Sequence, residues 1–277
     1  MNRLERDFLL ESEVLAWNIR RDVLDMLHAA HASHIGSAFS VADIVAVLYS
    51  YFADINLLKT GDKERTRIIL SKGHAGAAIY AALAEIGLME KSELQTYGTD
   101  GSKLSCHVSH NGVKGVEIST GSLGQGVGMA AGIALAGKKA GLNYKTFVIA
   151  GDGECNEGSV WEMVLFARQQ KLNRLTMIVD RNGLQALGKT EEILDMLDLE
   201  SKFKSFGWNA RTVNGHDHAA LKEALQDADE DKPTCIIANT VKGKGVSFME
   251  NNHLWHYRDP QGEDYANAVN ELERQRP

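Results

Sequence analysis

Two glycine turns carry the first chemistry that the sequence offers. Gly151-Asp152-Gly153-Glu154 follows the apolar run Phe147-Val148-Ile149-Ala150, and Asp180-Arg181-Asn182-Gly183-Leu184 follows a second apolar run at 175–179. A carboxylate and a side-chain amide on glycine-loosened backbone make an oxygen pair that suits a hard cation such as Mg²⁺. An octahedral ion would take one Asp152 oxygen, the Asn182 side-chain oxygen and the Leu184 carbonyl, with diphosphate oxygens and water completing the shell. Alone, either turn is also an ordinary strand end; the signal lies in the pair.

Histidine is the second group. Of ten, His34, His74, His107, His110, His216, His253 and His256 fall in turns rather than on helix faces. Neutral imidazoles move protons and hydrogen-bond sugar hydroxyls near neutral pH, so several converging on one crevice would make a site. No pair has the spacing of a zinc-binding helix. Lys242-Gly243-Lys244-Gly245 reads either as a phosphate nest with two cations or as a basic surface turn. Gly121-Ser122-Leu123-Gly124-Gln125-Gly126 precedes a small-residue helix at 127–140. It has neither the dinucleotide spacing nor a Walker lysine, and suits an anion at a helix start or the close approach of a neighbour, a further protein chain included.

These groups need elements that bring them together. Over 147–187 a strand, a glycine turn, a helix and a parallel strand form a crossover, and its right-handed sense sets both turns at one sheet edge. The same punctuation recurs. Strands at 67–71, 147–150, 175–179, 208–213 and 234–240 run into Ser71-Lys72-Gly73-His74, the two turns above, Asn214-Gly215-His216-Asp217 and the lysine–glycine turn. Helices are expected at 11–32, at 40–52 with Ser40 as cap, and at 75–88, 127–140, 198–206, 219–228 and 264–274, with a loop at 98–114. The expected fold is α/β: a doubly wound, mainly parallel sheet flanked by helices, with its ligand crevice at the carboxyl ends of the strands. No domain boundary shows, and 1–277 reads as a single unit.

Composition narrows the class. With 44% hydrophobic and 24% charged residues the chain is an ordinary globular one, and a net charge of −7 gives no footprint for nucleic acid or a membrane surface. No apolar run is long enough to span a bilayer, and 1–13 has no secretory core. Cys106, Cys155 and Cys235 lack metal-ligand spacing and fit reduced thiols, so a cytoplasmic location is expected.

Taken in order, several motifs resemble the N-terminal, diphosphate-binding half of a transketolase, of the kind encoded as two separate subunits. They are the histidine turn at 34–37, SKGH at 71–74, His107, GVEISTGSLGQG at 115–126, GDGECNEG at 151–158, DRNGLQ at 180–185, FGW at 206–208, NGHD at 214–217 and KGKGVSFMEN at 242–251. The resemblance runs from about 16 to 273. It implies thiamine diphosphate as cofactor, held through Mg²⁺ (or Ca²⁺ or Mn²⁺) on Asp152, Asn182 and the Leu184 carbonyl. Gly153, Glu154 and Asn182 match positions at the cofactor's diphosphate end. Gly121, Ser122 and Leu123 match the segment packed along it, and His74 and His256 match histidines near the diphosphate and the reacting carbon. His34 and His107 match histidines that hold donor hydroxyls; with His256 they form the catalytic set. Glu157 matches an interface glutamate.

The implied reaction moves a two-carbon ketol unit from a phosphorylated or otherwise anionic ketose to an aldose, with the cofactor as electron sink. The family's activating glutamate comes from a pyrimidine-binding domain that nothing in this chain resembles. A transketolase C-terminal subunit is therefore the expected partner, in an α₂β₂ assembly. Three departures fall near the donor: Ile35 and Val108-Ser109 where the pattern has proline and proline–acid, and Tyr257 where it has glycine. They leave an unusual ketose phosphate open. A 1-deoxyxylulose-phosphate synthase-like or 2-oxo acid dehydrogenase-like subunit, or a non-catalytic scaffold, is the alternative.

Overall fold

Alternate side chains of the apolar run 146–151 enter opposite cores, which is why it forms a central strand. The structure, a computed structural model, describes residues 3–227, 229 and 231–277. Its helices are α1 (Arg3–Ala30), α2 (Ile35–Tyr51), α3 (Ile55–Thr60), α4 (Gly76–Glu85), α5 (Gln125–Lys139), α6 (Gly158–Gln169), α7 (Thr190–Leu194), α8 (Leu199–Ser205), α9 (His218–Gln226) and α10 (Gly262–Arg274). Its strands are β1 (Arg67–Leu70), β2 (Thr146–Gly151), β3 (Leu175–Arg181), β4 (Asn209–Asn214) and β5 (Thr234–Asn239), all parallel, in the order β1-β2-β3-β5-β4. Phe147, Ile149, Ile178 and Ile236 pack with α1, α2, α4, α9 and α10 on one face. Val148, Met177, Val179 and Ile237 pack with α5, α6 and α8 on the other. Helices on both faces are what an all-parallel sheet requires, so the expected architecture stands.

Register then builds the edge. Leu70 pairs with Ile149, Gly151 with Asp180 and Arg181 with Asn239. The turns that follow β1, β2, β3 and β5 therefore lie in a row.

Two expectations change. Ser40 does not cap α2; the helix starts at Ile35, with His34 at the cap position in a left-handed conformation (φ 80°). This helix is buried from Ile35 to Tyr49, so no polar face marks its start, and the buried Ser40 hydroxyl donates to Asp180 at 2.6 Å. Asp180, read as a turn residue, is the penultimate residue of β3 and is fully buried. The expected helix end at Ala228 lies outside the described residues. No described helix is long and apolar enough to cross a membrane.

Candidate functional site

At the carboxyl edge lies a cavity of about 310 Å³ whose lining includes His34, Lys72, His74, His107, Asp152 and His256. Four of the seven turn histidines meet here. The His34 ring lies 5.3 Å from His74, 5.5 Å from His107 and 5.0 Å from His256, centre to centre. Backbone bonds fix them: the His34 N–H donates to the His256 carbonyl at 2.9 Å, and the Val108 N–H donates to the Gly73 carbonyl at 3.0 Å. Tyr80 Oη accepts from the Ser109 N–H at 2.8 Å and donates to the His107 carbonyl at 3.3 Å, clamping the loop that carries His107. His110 and His253 are exposed and His216 lies elsewhere, so these three do not join the cluster.

Burial, reinforced by neighbouring imidazoles and lysines, lowers the His34 imidazole to about 4 and, mainly with Lys242, His256 to about 3. Burial, with Lys72 and the neighbouring imidazoles, also holds His74 well below its ordinary value. The three rings are neutral at physiological pH and each offers one donor and one acceptor nitrogen.

The oxygen groups stand beside them. Asp152 Oδ1 accepts from the Gly153 N–H at 2.8 Å, and Oδ2 accepts from the Gly183 N–H at 2.8 Å and the Thr190 hydroxyl at 3.2 Å. The two turns thirty positions apart thus meet at one carboxylate, which burial and nearby Asp180 push upward. Asn182 Nδ2 donates to Ser40 Oγ at 3.3 Å and Asp180 at 3.4 Å, which turns Oδ1 towards the Leu184 N–H at 3.1 Å. The Leu184 carbonyl accepts from the Lys242 ammonium at 3.2 Å, so it already faces positive charge. Carboxylate, amide and carbonyl oxygens from adjacent turns form a hard donor set that fits a divalent cation. Asp152, Asn182 and Leu184 also line a second, more open cavity of about 500 Å³.

The role of Lys72 is not evident in the sequence. Lys72 is 2% exposed and donates to Asp180 Oδ2 at 2.6 Å. Burial alone would raise the Asp180 carboxyl; Lys72, Ser40 and Thr240 bring it below its ordinary value. A lysine directly after a buried strand was the available signal. The lysine–glycine turn supplies one cation to the site rather than two: Lys242 is buried in it, whereas Lys244 pairs with Glu250 at 3.5 Å. Burial, with Lys72 nearby, lowers the Lys242 amine to about 8.

Glu154, expected at the cofactor, lines the cavity, and its carboxylate is held by protein donors. It accepts from Ser71 Oγ, from the Gly124 N–H at 2.8 Å and from the Gly151 N–H at 3.1 Å, tying three turns together. Gly121, Leu123 and Gly153 line the cavity, while Ser122 is exposed and outside its lining. Glu157 is exposed at the start of α6. Of the three departures, Ile35 and Val108 are buried scaffold; Tyr257 lines the cavity, 63% exposed, with its ring 4.8 Å from His256.

Such an edge defines an open α/β protein that holds a diphosphate-bearing cofactor in a crevice. Residues 12–272 match the family described as "Transketolase, thiamine diphosphate binding domain", and the chain belongs to that family. It is 36% identical to one of the subunits of the apulose-4-phosphate transketolase of Phocaeicola vulgatus, over 91% of this chain and 90% of that protein. It is 37% identical to the 6-deoxy-6-sulfo-D-fructose transketolase subunit SqwG of Clostridium sp. (strain MSTE9), over 93% and 94%. Among solved structures, the transketolase from Leishmania mexicana superposes with a TM-score of 0.87 at 28% identity, over 95% of this chain and 41% of that one. The Campylobacter jejuni transketolase gives 0.85 at 29%, over 99% and 43%. The chain thus spans about two fifths of these transketolases.

Proposed function

We propose that this chain is the cofactor-holding subunit of a two-chain transketolase, which moves a two-carbon ketol unit from an anionic ketose to an aldose acceptor. The observation that carries the reading is the meeting, at one sheet edge, of neutral histidines with the Asp152–Asn182–Leu184 oxygen set. Asp152, Asn182 and the Leu184 carbonyl hold Mg²⁺ or a similar divalent ion, and Lys72 and Lys242 set positive charge beside the diphosphate. Gly121, Leu123 and Gly153 leave room for the cofactor against the backbone. Bound thiamine diphosphate supplies the electron sink for carbon–carbon cleavage. His34 and His107 hold donor hydroxyls, and His74 and His256, being neutral, each hold or pass a proton at one ring nitrogen. Glu154, in the crevice wall, keeps the turns in register.

The similar chains are named as subunits, and two are named for a sugar phosphate and a sulfo-sugar. This supports an anionic donor and a partner chain. In this reading the partner bears the pyrimidine-binding residues, and the two chains form an α₂β₂ assembly. Free Cys106, Cys155 and Cys235 suit the reducing cytoplasm.

The test is a ketol-transfer assay of the chain alone and with its partner, beside thiamine diphosphate titrations with and without Mg²⁺. Turnover is expected only in the mixture. Asp152→Ala is expected to weaken Mg²⁺-dependent cofactor binding by more than the roughly 10–100-fold that loss of a ligand's outer-shell partner costs. Robust turnover by the chain alone overturns the two-chain reading, and unchanged affinity in Asp152→Ala favours a scaffold.

A further inference from the structure

The Asn214-Gly215-His216-Asp217 turn lies outside the crevice, yet it ends a buried polar chain that reaches it. Asp43 on α2 is 6% exposed. Its Oδ1 accepts from Arg20 Nη1 at 3.1 Å and from His218 Nε2 at 3.1 Å. Its Oδ2 accepts from Arg20 Nη2 and from His216 Nδ1 at 2.5 Å. All four acceptor positions of the carboxylate are therefore in use. Burial alone would raise Asp43; Arg20 and the two imidazoles hold it well below the usual carboxylate range.

The other side of His216 points at the site. Its Nε2 accepts from the Val241 N–H at 2.8 Å. A backbone N–H only donates, so Nε2 carries no proton and Nδ1–H faces Asp43; the ring has one tautomer and one orientation. The turn lies this close to β5 because residue 215 is glycine: a Cβ there would meet Thr240 Cγ2 at 2.4 Å and Ala238 Cβ at 3.1 Å. Val241 immediately precedes Lys242, whose ammonium lies 3.2 Å from the Leu184 carbonyl, the Gln185 carbonyl and His256 Nδ1. Beyond it, the Lys242 carbonyl accepts from the Asn251 N–H at 2.9 Å and the Gly243 N–H donates to the Gly36 carbonyl at 3.0 Å. His216 is the one side chain among these three anchors.

We propose that His216 is a positioning residue: held by Asp43, it fixes through the Val241 N–H the backbone that aims Lys242 at the diphosphate end of the crevice. The identity of the ligand rests on the proposed function; the anchoring itself does not.

Two substitutions separate the two sides of the ring. His216→Asn keeps a donor for Asp43 and loses the acceptor for Val241. His216→Gln keeps an acceptor near the Nε2 position and loses the Asp43 contact. Arg20 remains on Asp43 in both, so the carboxylate stays paired. In the full chain without cofactor, amide exchange over 240–246 is expected to speed up in His216→Asn and to stay near wild type in His216→Gln. Thiamine diphosphate binding in Mg²⁺ is expected to weaken about tenfold in His216→Asn, as for one lost hydrogen bond to a buried donor, and by less than about threefold in His216→Gln. In a Lys242→Met background His216→Asn is expected to add less than about twofold, because the two changes act through one group.

Unchanged exchange in His216→Asn, or a full additional tenfold loss in the Lys242→Met background, overturns the proposal. So does the reverse order of the two variants, which would mark His216 as a partner for Asp43 only. Failure of the wild-type chain to bind thiamine diphosphate overturns the ligand reading instead, and the exchange comparison still decides the anchoring.

Discussion

At Asp180 a single buried carboxylate governs two site groups. It takes the Lys72 ammonium at 2.6 Å and the Ser40 hydroxyl at 2.6 Å, and the Asn182 amide leans on it at 3.4 Å. With Lys72 2% and Asp180 0% exposed, neither charge has water to replace its partner. Asp180→Asn is expected to cost about 3–5 kcal/mol in urea unfolding, because it strands a buried ammonium. Adding Lys72→Met should recover much of that loss; a double variant less stable than Asp180→Asn would show that the pair is not the source. Tyr257 makes a different prediction at the same scale. It is the one departure from the family's pattern that reaches the cavity, beside His256 and 6.3 Å from the His34 ring. In the assembled enzyme Tyr257→Gly is expected to change KM for the ketose donor at least about fivefold, the size of one side-chain contact in a pocket. Cofactor affinity should stay as it was. An effect on cofactor affinity alone would place the ring's role elsewhere.

Among the elements, α1, α4 and the 3₁₀ turn Lys91–Thr96 meet at a charged trio that precedes the His107 loop. Asp22 is 7% exposed; its Oδ1 lies 3.1 Å from Lys91 Nζ, and its Oδ2 has no hydrogen-bond partner. Lys91 also donates to Glu85 at 2.5 Å. Burial raises the Asp22 carboxyl to about 6, with Lys91 pulling down and Glu85 pushing up. A carboxyl raised on folding stabilises the fold in its protonated form. That contribution is complete below its unfolded value near 4 and is lost as pH rises through about 6. Asp22→Asn imitates the protonated form, so it should gain about 1–3 kcal/mol over wild type at pH 8 and nothing at pH 4, read from unfolding midpoints. A gain that is the same at both pH values would assign it to something other than this ionisation. The strands were legible because buried parallel strands are plain apolar runs, and all five were read to within two residues. The turn Lys91–Thr96, α3 and α7 are too short for a period to register. The start of α2 was hidden because its residues are buried all round. The site was half legible: Asp152, Asn182, His34 and His74 sit beside glycines in turns, which sequence marks, and His107 and His256 lie in the polar loops that follow. Lys72 and Asp180 owe their roles to register between strands, which it does not.

For the whole molecule, the proposed assembly needs a surface, and α5 and α6 present one. A groove of about 290 Å³ between them is lined by Gly128, Ala131, Met163 and Phe166 among others. Met129, Leu165 and Phe166 are 40%, 57% and 41% exposed. A Cβ on Gly128 or Gly132 would meet no heavy atom within 4 Å, so packing inside this chain does not call for glycine at either position. Glu157 opens the same surface: a Cβ on Gly124 would touch Glu157 Cβ at 2.7 Å. Exposed apolar side chains gathered on two neighbouring helices beside a small-residue groove fit a contact with another chain. Leu165→Glu with Phe166→Glu places two charges in that contact and leaves the crevice lining untouched. In sedimentation with the partner present, the double variant is expected to run well below the wild-type assembly. Ketol transfer should fall with it, while an unfolding midpoint close to wild type shows the fold kept. A variant that sediments like wild type would move the contact off α5 and α6 and leave Glu157 without the interface role that its position suggests.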